Sequence, residues 1–167
     1  MSQVRSVVAV DFGFADGRDV SRKAHVTKRV GTLSSDRQVG RLTINGPGGL
    51  EIESSSALRE LQAFTLELTL SVDEIGAPQQ VLVGEALPVA IGIEKDGTVV
   101  ASLRTEHGWE KLDSGASKLR PKTDARLRLI FDDKRQLRLE LDDHNVAATS
   151  IKGSLDRTGK GGLVVGS

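Results

Sequence analysis

The stretch Phe64-Thr65-Leu66-Glu67-Leu68-Thr69-Leu70-Ser71-Val72 decides the fold. Its apolar residues Phe64, Leu66, Leu68, Leu70 and Val72 recur at every second position, with Thr65, Glu67, Thr69 and Ser71 between them. A helix face would need a spacing near 3.6 residues, whereas a spacing of two sends alternate side chains to opposite faces of a pleated strand. One face is then buried and the other wet, the pattern of an antiparallel sheet. The same rhythm runs through Val89–Ile93, Val99–Leu103, Leu127–Phe131 and Leu137–Leu141, and Val8, Val10, Phe12 and Phe14 form one further row.

Turn chemistry separates these runs. Asp96-Gly97 lies between two of them, and both residue types accept positive φ, which makes the pair a strong hairpin signal. Asp132–Arg135 and Asp142–Asn145 read as longer hairpin loops. Gly76-Ala77-Pro78 and Gly46-Pro47-Gly48-Gly49 read as breakers flanking the long strand. Only Ser56–Leu61 suggests a helical turn, with Ser56 as its cap. About a dozen short strands so punctuated predict an all-β fold, a two-sheet antiparallel sandwich in a single domain over residues 1–167.

Composition narrows the function. The 167 residues carry 23 Lys+Arg against 23 Asp+Glu, so a phosphate backbone finds no net attraction and no nucleic-acid partner is expected. No apolar run approaches the roughly 18 residues of a membrane helix, and no membrane insertion is expected. Cysteine is absent, which excludes disulfides, thiolate metal sites and cysteine nucleophiles together. Aromatic residues make up only 3%, so stacking surfaces for sugars are scarce.

The order of several motifs resembles the concanavalin A-like lectin/glucanase superfamily, in its laminin G-like branch. Val10–Phe14 is similar to the branch's opening strand, and Gly40–Ile44 with Gly49–Ile52 to its second block. Phe64–Leu70 resembles the strand in the middle of the sandwich, and Asp96-Gly97, Gly108-Trp109 and Leu112 its following hairpin region. Leu127–Phe131, Leu137–Asp143 and Val146-Ala147 are similar to a later strand pair around a tight turn, and Gly162–Gly166 to a late strand. The resemblance implies a jelly roll that binds a polysaccharide or protein ligand, outside the cell or on its surface, in some members with a calcium ion. The branch continues with one more strand where this sequence stops at Ser167, so the chain is expected to be one part of a longer exported bacterial protein, beside other domains, with a differently closed sheet and a protected edge as the alternative. The tryptophan common near position 125 is absent, with Ala125 there instead.

Candidate sites follow from these expectations. Trp109 is the one ring outside the apolar strand rows, and with His107 and Arg104 it forms the candidate ligand platform; packing over the sandwich edge is the structural alternative. Asp11, Asp16 and Asp19 bracket the loop after the first strand and are the candidate calcium ligands, with Asp132/Asp133 and Asp142/Asp143 offering similar chemistry at hairpin tips. A glycoside hydrolase would need two opposed carboxylates. The nearest approach, Glu140 with Asp142 and Asp143, lacks the following Glu of the superfamily's enzymes, and Glu67 with Asp73 and Glu74 is too loosely spaced. No catalysis is therefore expected, with an atypical hydrolase and a purely architectural spacer as the alternatives. Gly153–Gly161 imitates a phosphate loop but has one residue too many between its glycines and Gly161 where Ser or Thr is required. The basic stretch Arg18–Arg29 reads as a solvated face.

Overall fold

A computed structural model describes residues 26–36 and 41–166. The fold is a two-sheet antiparallel β-sandwich of the jelly-roll class, with one four-residue helical turn among the described residues. The chain forms two compact units: the larger comprises Gln62–Val83 with Pro88–Asp156, and the smaller holds the described residues up to Leu61 with Gly84–Leu87 and the segment from Arg157 onward.

In the larger unit, β3 (Phe64–Leu70), β8 (Ala125–Phe131), β9 (Gln136–Leu141) and β10 (His144–Ser150) make one four-stranded sheet in the order β10-β9-β8-β3. β4 (Gln79–Gly84), β5 (Val89–Ile93), β6 (Thr98–Thr105) and β7 (Gly108–Lys118) pair consecutively and antiparallel in the second. Alternation does the sorting. On β8 and β9 the residues Leu127, Leu129, Leu137 and Leu139 are wholly buried, and so on β5 and β6 are Val89, Val99, Ala101 and Leu103. Each large apolar side chain so buried contributes roughly 1.5–3 kcal/mol against chain entropy.

In the smaller unit, β1 (Thr27–Asp36), β2 (Arg41–Ile52) and β11 (Leu163–Val165) form antiparallel pairs, β2 with β1 and β11 with β2. The expected break at Gly46–Gly49 does not occur. β2 runs through it, because Gly31 and Gly48 face each other at φ 76° and 149° and let the two backbones approach where any Cβ would collide. The register shifts between Gly31 and Leu33 to absorb the irregularity. The helical turn α1 (Ser56–Arg59) is capped by Ser55, whose hydroxyl accepts from the Leu58 N–H at 3.3 Å, and not by Ser56. The turn buries Leu58.

Three further expectations change in detail. β3 pairs only with β8 and so stands at the rim of its sheet rather than in the middle of the sandwich; Phe64 is buried, while Leu66, Leu68 and Leu70 are half-buried. At Asp96-Gly97 a hairpin does form, but only Gly97 takes positive φ, and the Glu94 and Thr98 backbones close the loop. Asp142-Asp143 is a two-residue turn, not part of a longer loop: both residues lie at positive φ (50° and 64°), and Leu141 pairs directly with His144. Aspartate tolerates that region better than most residues, and Asp142 Oδ1 also accepts the Arg126 N–H at 2.9 Å. The loop at Asp132–Arg135 is longer, as expected, with Asp132 Oδ1 accepting from the N–H groups of Lys134 and Gln136. The row Val8, Val10, Phe12 and Phe14 lies outside the described residues. Among those residues no helix is long and apolar enough to cross a membrane.

Leu129→Ala is expected to lower the unfolding free energy by about 2–5 kcal/mol, since the surrounding sheet cannot fully close the void. Thr65→Ala, on the exposed face of β3, is expected to change it by less than about 0.5 kcal/mol. Urea titration followed by circular dichroism measures both.

Candidate functional site

Trp109 sits at the start of β7, the rim strand of the second sheet, and remains 45% exposed. The register pairs it with Arg104 on β6, so the two side chains share the outer face. The Arg104 guanidinium lies 5.9 Å from the centre of the indole ring, within cation–π range, and its Nε is 3.0 Å from Asp156 Oδ2. Arginine thus keeps the indole in place while Asp156 holds the arginine. His107 stands in the intervening turn, where its N–H donates to the Thr105 hydroxyl, which in turn donates to the Gly108 carbonyl. Its imidazole is exposed and lies 3.7 Å from Glu106.

A second segment frames this hairpin. The Glu106 N–H donates to the Ser154 carbonyl, the Asp156 N–H to the Arg104 carbonyl, and the Ser154 N–H to the Glu106 carboxylate. Arg135 anchors the preceding residues by donating to the Ile151 and Gly153 carbonyls. The structure therefore brings Arg104, His107 and Trp109 onto one hairpin end, backed by a loop that sequence reasoning did not connect to them. No local signal could have found it, because the pairing spans about fifty positions of chain.

The outer face of the four-stranded sheet holds a charge network that the sequence reading treated as separate pieces. Arg128 donates to Glu67 (2.9 Å), Glu140 (2.8 Å) and Asp143 (3.1 Å), and Arg126 donates to Glu67 at 2.9 Å. The registers Glu67↔Arg128 and Arg128↔Glu140 align these charges across three strands. The Glu67 carboxyl is held below its ordinary value, first by the hydrogen bond from Arg126 and then by that from Arg128. A glycosidase acid needs the opposite shift, toward retention of its proton. Glu140 is tied to arginine and Asp142 to a backbone N–H, so the nearest approach to a catalytic carboxylate set is engaged in pairing the strands. Asp73 and Glu74 fall in the connection after β3, where the Glu74 carbonyl accepts from Gln79.

Asp11, Asp16 and Asp19, the expected calcium ligands, lie outside the described residues, as does most of the basic stretch from Arg18. Among the described residues no group of three or more His, Asp or Glu side chains is placed to hold a metal ion. The imitation phosphate loop has its own anion: the Gly161 N–H donates to the Glu85 carboxylate at 2.8 Å, and the segment leads into β11 instead of a helix.

No protein-family model and no curated protein matches this sequence. Solved structures do resemble it. The CBM40 domain of the Ruminococcus gnavus IT-sialidase, solved bound to α2,6-sialyllactose, is 17% identical with a TM-score of 0.55, covering 70% of this chain and 77% of that one. The binding domain of botulinum neurotoxin serotype C1 is 8% identical with a TM-score of 0.73, covering 89% of this chain and 39% of its own. The binding domain of Paraclostridial Mosquitocidal Protein 1 is 10% identical with a TM-score of 0.66, covering 88% and 44%. At such identities the likeness establishes a shared β-sandwich fold.

The depressed carboxyl of Glu67 stabilises the fold while ionised, above its ordinary pKa near 4.5, and this contribution is lost as pH falls through the lowered folded-state value. Glu67→Gln is expected to melt at a lower temperature at pH 7 and to lose less further stability than the parent between pH 5 and pH 2 (about the window over which such a carboxyl protonates). Thermal unfolding across that range measures the difference.

Proposed function

We propose that this domain is a non-catalytic recognition module for glycans, an accessory to a larger exported or cell-surface protein, and that it belongs to the laminin G-like branch of the concanavalin A-like superfamily. The observation that carries this reading is Trp109, a half-exposed indole on a rim strand, held in place by Arg104 and framed by the Ser154–Asp156 segment. Burying that ring under the face of a pyranose removes apolar area from water, and the arginine beside it, with His107 in the adjoining turn, supplies donors for hydroxyl or carboxylate oxygens. The platform is largely preformed, so little ordering cost accompanies binding. Likeness of fold to domains solved with sialyllactose supports the choice of glycan as ligand class. Pairing of Glu67 and Glu140 with arginine supports recognition over hydrolysis.

Calorimetry with 3′- and 6′-sialyllactose and a glycan array test the reading. Binding that Trp109→Ala weakens about tenfold or more, as expected for loss of a stacking aromatic, is the predicted outcome, with no sugar released on long incubation. An array with no bound glycan, or turnover abolished by Glu140→Gln, would overturn it.

A further inference from the structure

In the larger unit a groove of about 430 Å³ lies between the end of β7 with residues 119–125 and the β9–β10 hairpin. That volume falls in the range of small-ligand sites, roughly 300–1,000 Å³. Its floor is apolar, with Leu119, Ala125 and Leu141 among the lining residues, each less than a tenth exposed. Its rim carries one cation, Arg120, that the fold leaves without an internal partner among the described residues. We propose that this groove is a second binding site, separate from Trp109, for a carboxylate-bearing sugar, with Arg120 receiving the carboxylate and His144 a hydroxyl; the choice of a sugar rests on the recognition function above.

His144 pairs with Leu141, which pairs with Leu127, so the register sets it on the side of those buried leucines, yet as the first residue of β10 it remains exposed. It lines the groove instead of filling it. Its Nδ1 lies 2.7 Å from the Asp142 carbonyl, an atom that only accepts, so Nδ1 carries the proton. Nε2 is the ring nitrogen left over to meet a hydroxyl. Arg120 has no hydrogen-bond or ion-pair partner among the described residues, and its guanidinium offers the planar fork that matches a carboxylate.

The other charges of the rim are already engaged. Lys118 donates to Asp96 at 2.5 Å, Asp142 accepts from the Arg126 N–H, and Asp124 has a partner. The cation left over is Arg120, which selects an anion. Of four non-glycine residues at positive φ among those described, Asp142 (50°) lines the groove, and Lys122 (56°) falls between the lining residues Arg120 and Thr123 without lining it. The Lys122 N–H is pinned to the Val72 carbonyl at 2.7 Å, so the loop is held in shape without a ligand.

The test titrates the whole chain with 3′-sialyllactose, digalacturonate and lactose, in the parent and in Arg120→Ala, Arg120→Lys and Trp109→Ala, with binding read by calorimetry and by amide NMR shifts. The expected result is that Arg120→Ala weakens an acidic sugar about tenfold or more, as for a lost charge-assisted hydrogen bond. Lactose affinity should stay unchanged, Arg120→Lys should recover part of the loss, and parent amide shifts should cluster at residues 117–125 and 141–146. Loss with sialyllactose alone identifies a sialic acid as the source of the carboxylate, and loss with digalacturonate alone a uronic acid; either supports the site. If Arg120→Ala binds both acids like the parent while Trp109→Ala does not, the groove is overturned and the recognition function stands. If no sugar binds the parent chain, both readings fall.

Discussion

Everything in the larger unit depends on the exclusion of water from between its two sheets by alternate side chains. Leu127 and Leu129 on β8, with Leu137 and Leu139 on β9, form one wall, and the apolar rows of β5 and β6 form the other. Because a pleated strand reverses side-chain direction at every residue, a slip of one position would turn an entire apolar row to solvent. That penalty holds the register, and the register in turn sets which polar groups meet on the outer faces. Pairs such as Arg104 with Trp109, and Glu67 with Arg128 and Glu140, follow from packing on the opposite side of the same strands.

The outer faces use this enforced proximity in two ways. On the four-stranded sheet, two arginines and three carboxylates satisfy one another, at surface exposures where each pair adds little to stability. On the rim of the other sheet an indole is left half-exposed, with its arginine partner engaged by Asp156. The first arrangement is complete in itself, and the second retains surface for a ligand. A similar division separates two other polar features. The glycine-rich segment before β11 has its N–H at Gly161 taken by Glu85, whereas Arg120 at the groove has no such internal partner among the described residues.

Turns show how local chemistry and packing share control. Gly97 takes positive φ as a glycine readily does, and Asp96 closes the loop by accepting the Thr98 N–H and pairing with Lys118. These two contacts hold the Asp96 carboxyl well below its ordinary range, Lys118 first and Thr98 next. At Asp142-Asp143 no glycine is present, yet both residues are left-handed, because pairing on either side leaves only two residues to reverse the chain. A loop read from composition alone comes out too long there. At Gly46–Gly49 the same kind of reading ends a strand that continues, since glycines that break an isolated strand also permit two strands to draw close.

From the amino-acid order alone came the all-β class, the β5, β6, β8 and β9 cores, and the absence of any thiol chemistry, because period-two alternation and residue counts are local properties. The singling out of Trp109 with Arg104 and His107 also came from order, since a lone ring beside a turn stands apart from the apolar rows. Tertiary structure decided which strand lies at a rim, that residues 154–156 back the Trp109 hairpin, and that Glu67, Arg126, Arg128, Glu140 and Asp143 form one network. It also decided that His144 and Arg120 share a groove. These depend on which strands pair and in what register, a choice made by burial summed over the whole sandwich, and no window of sequence contains that sum.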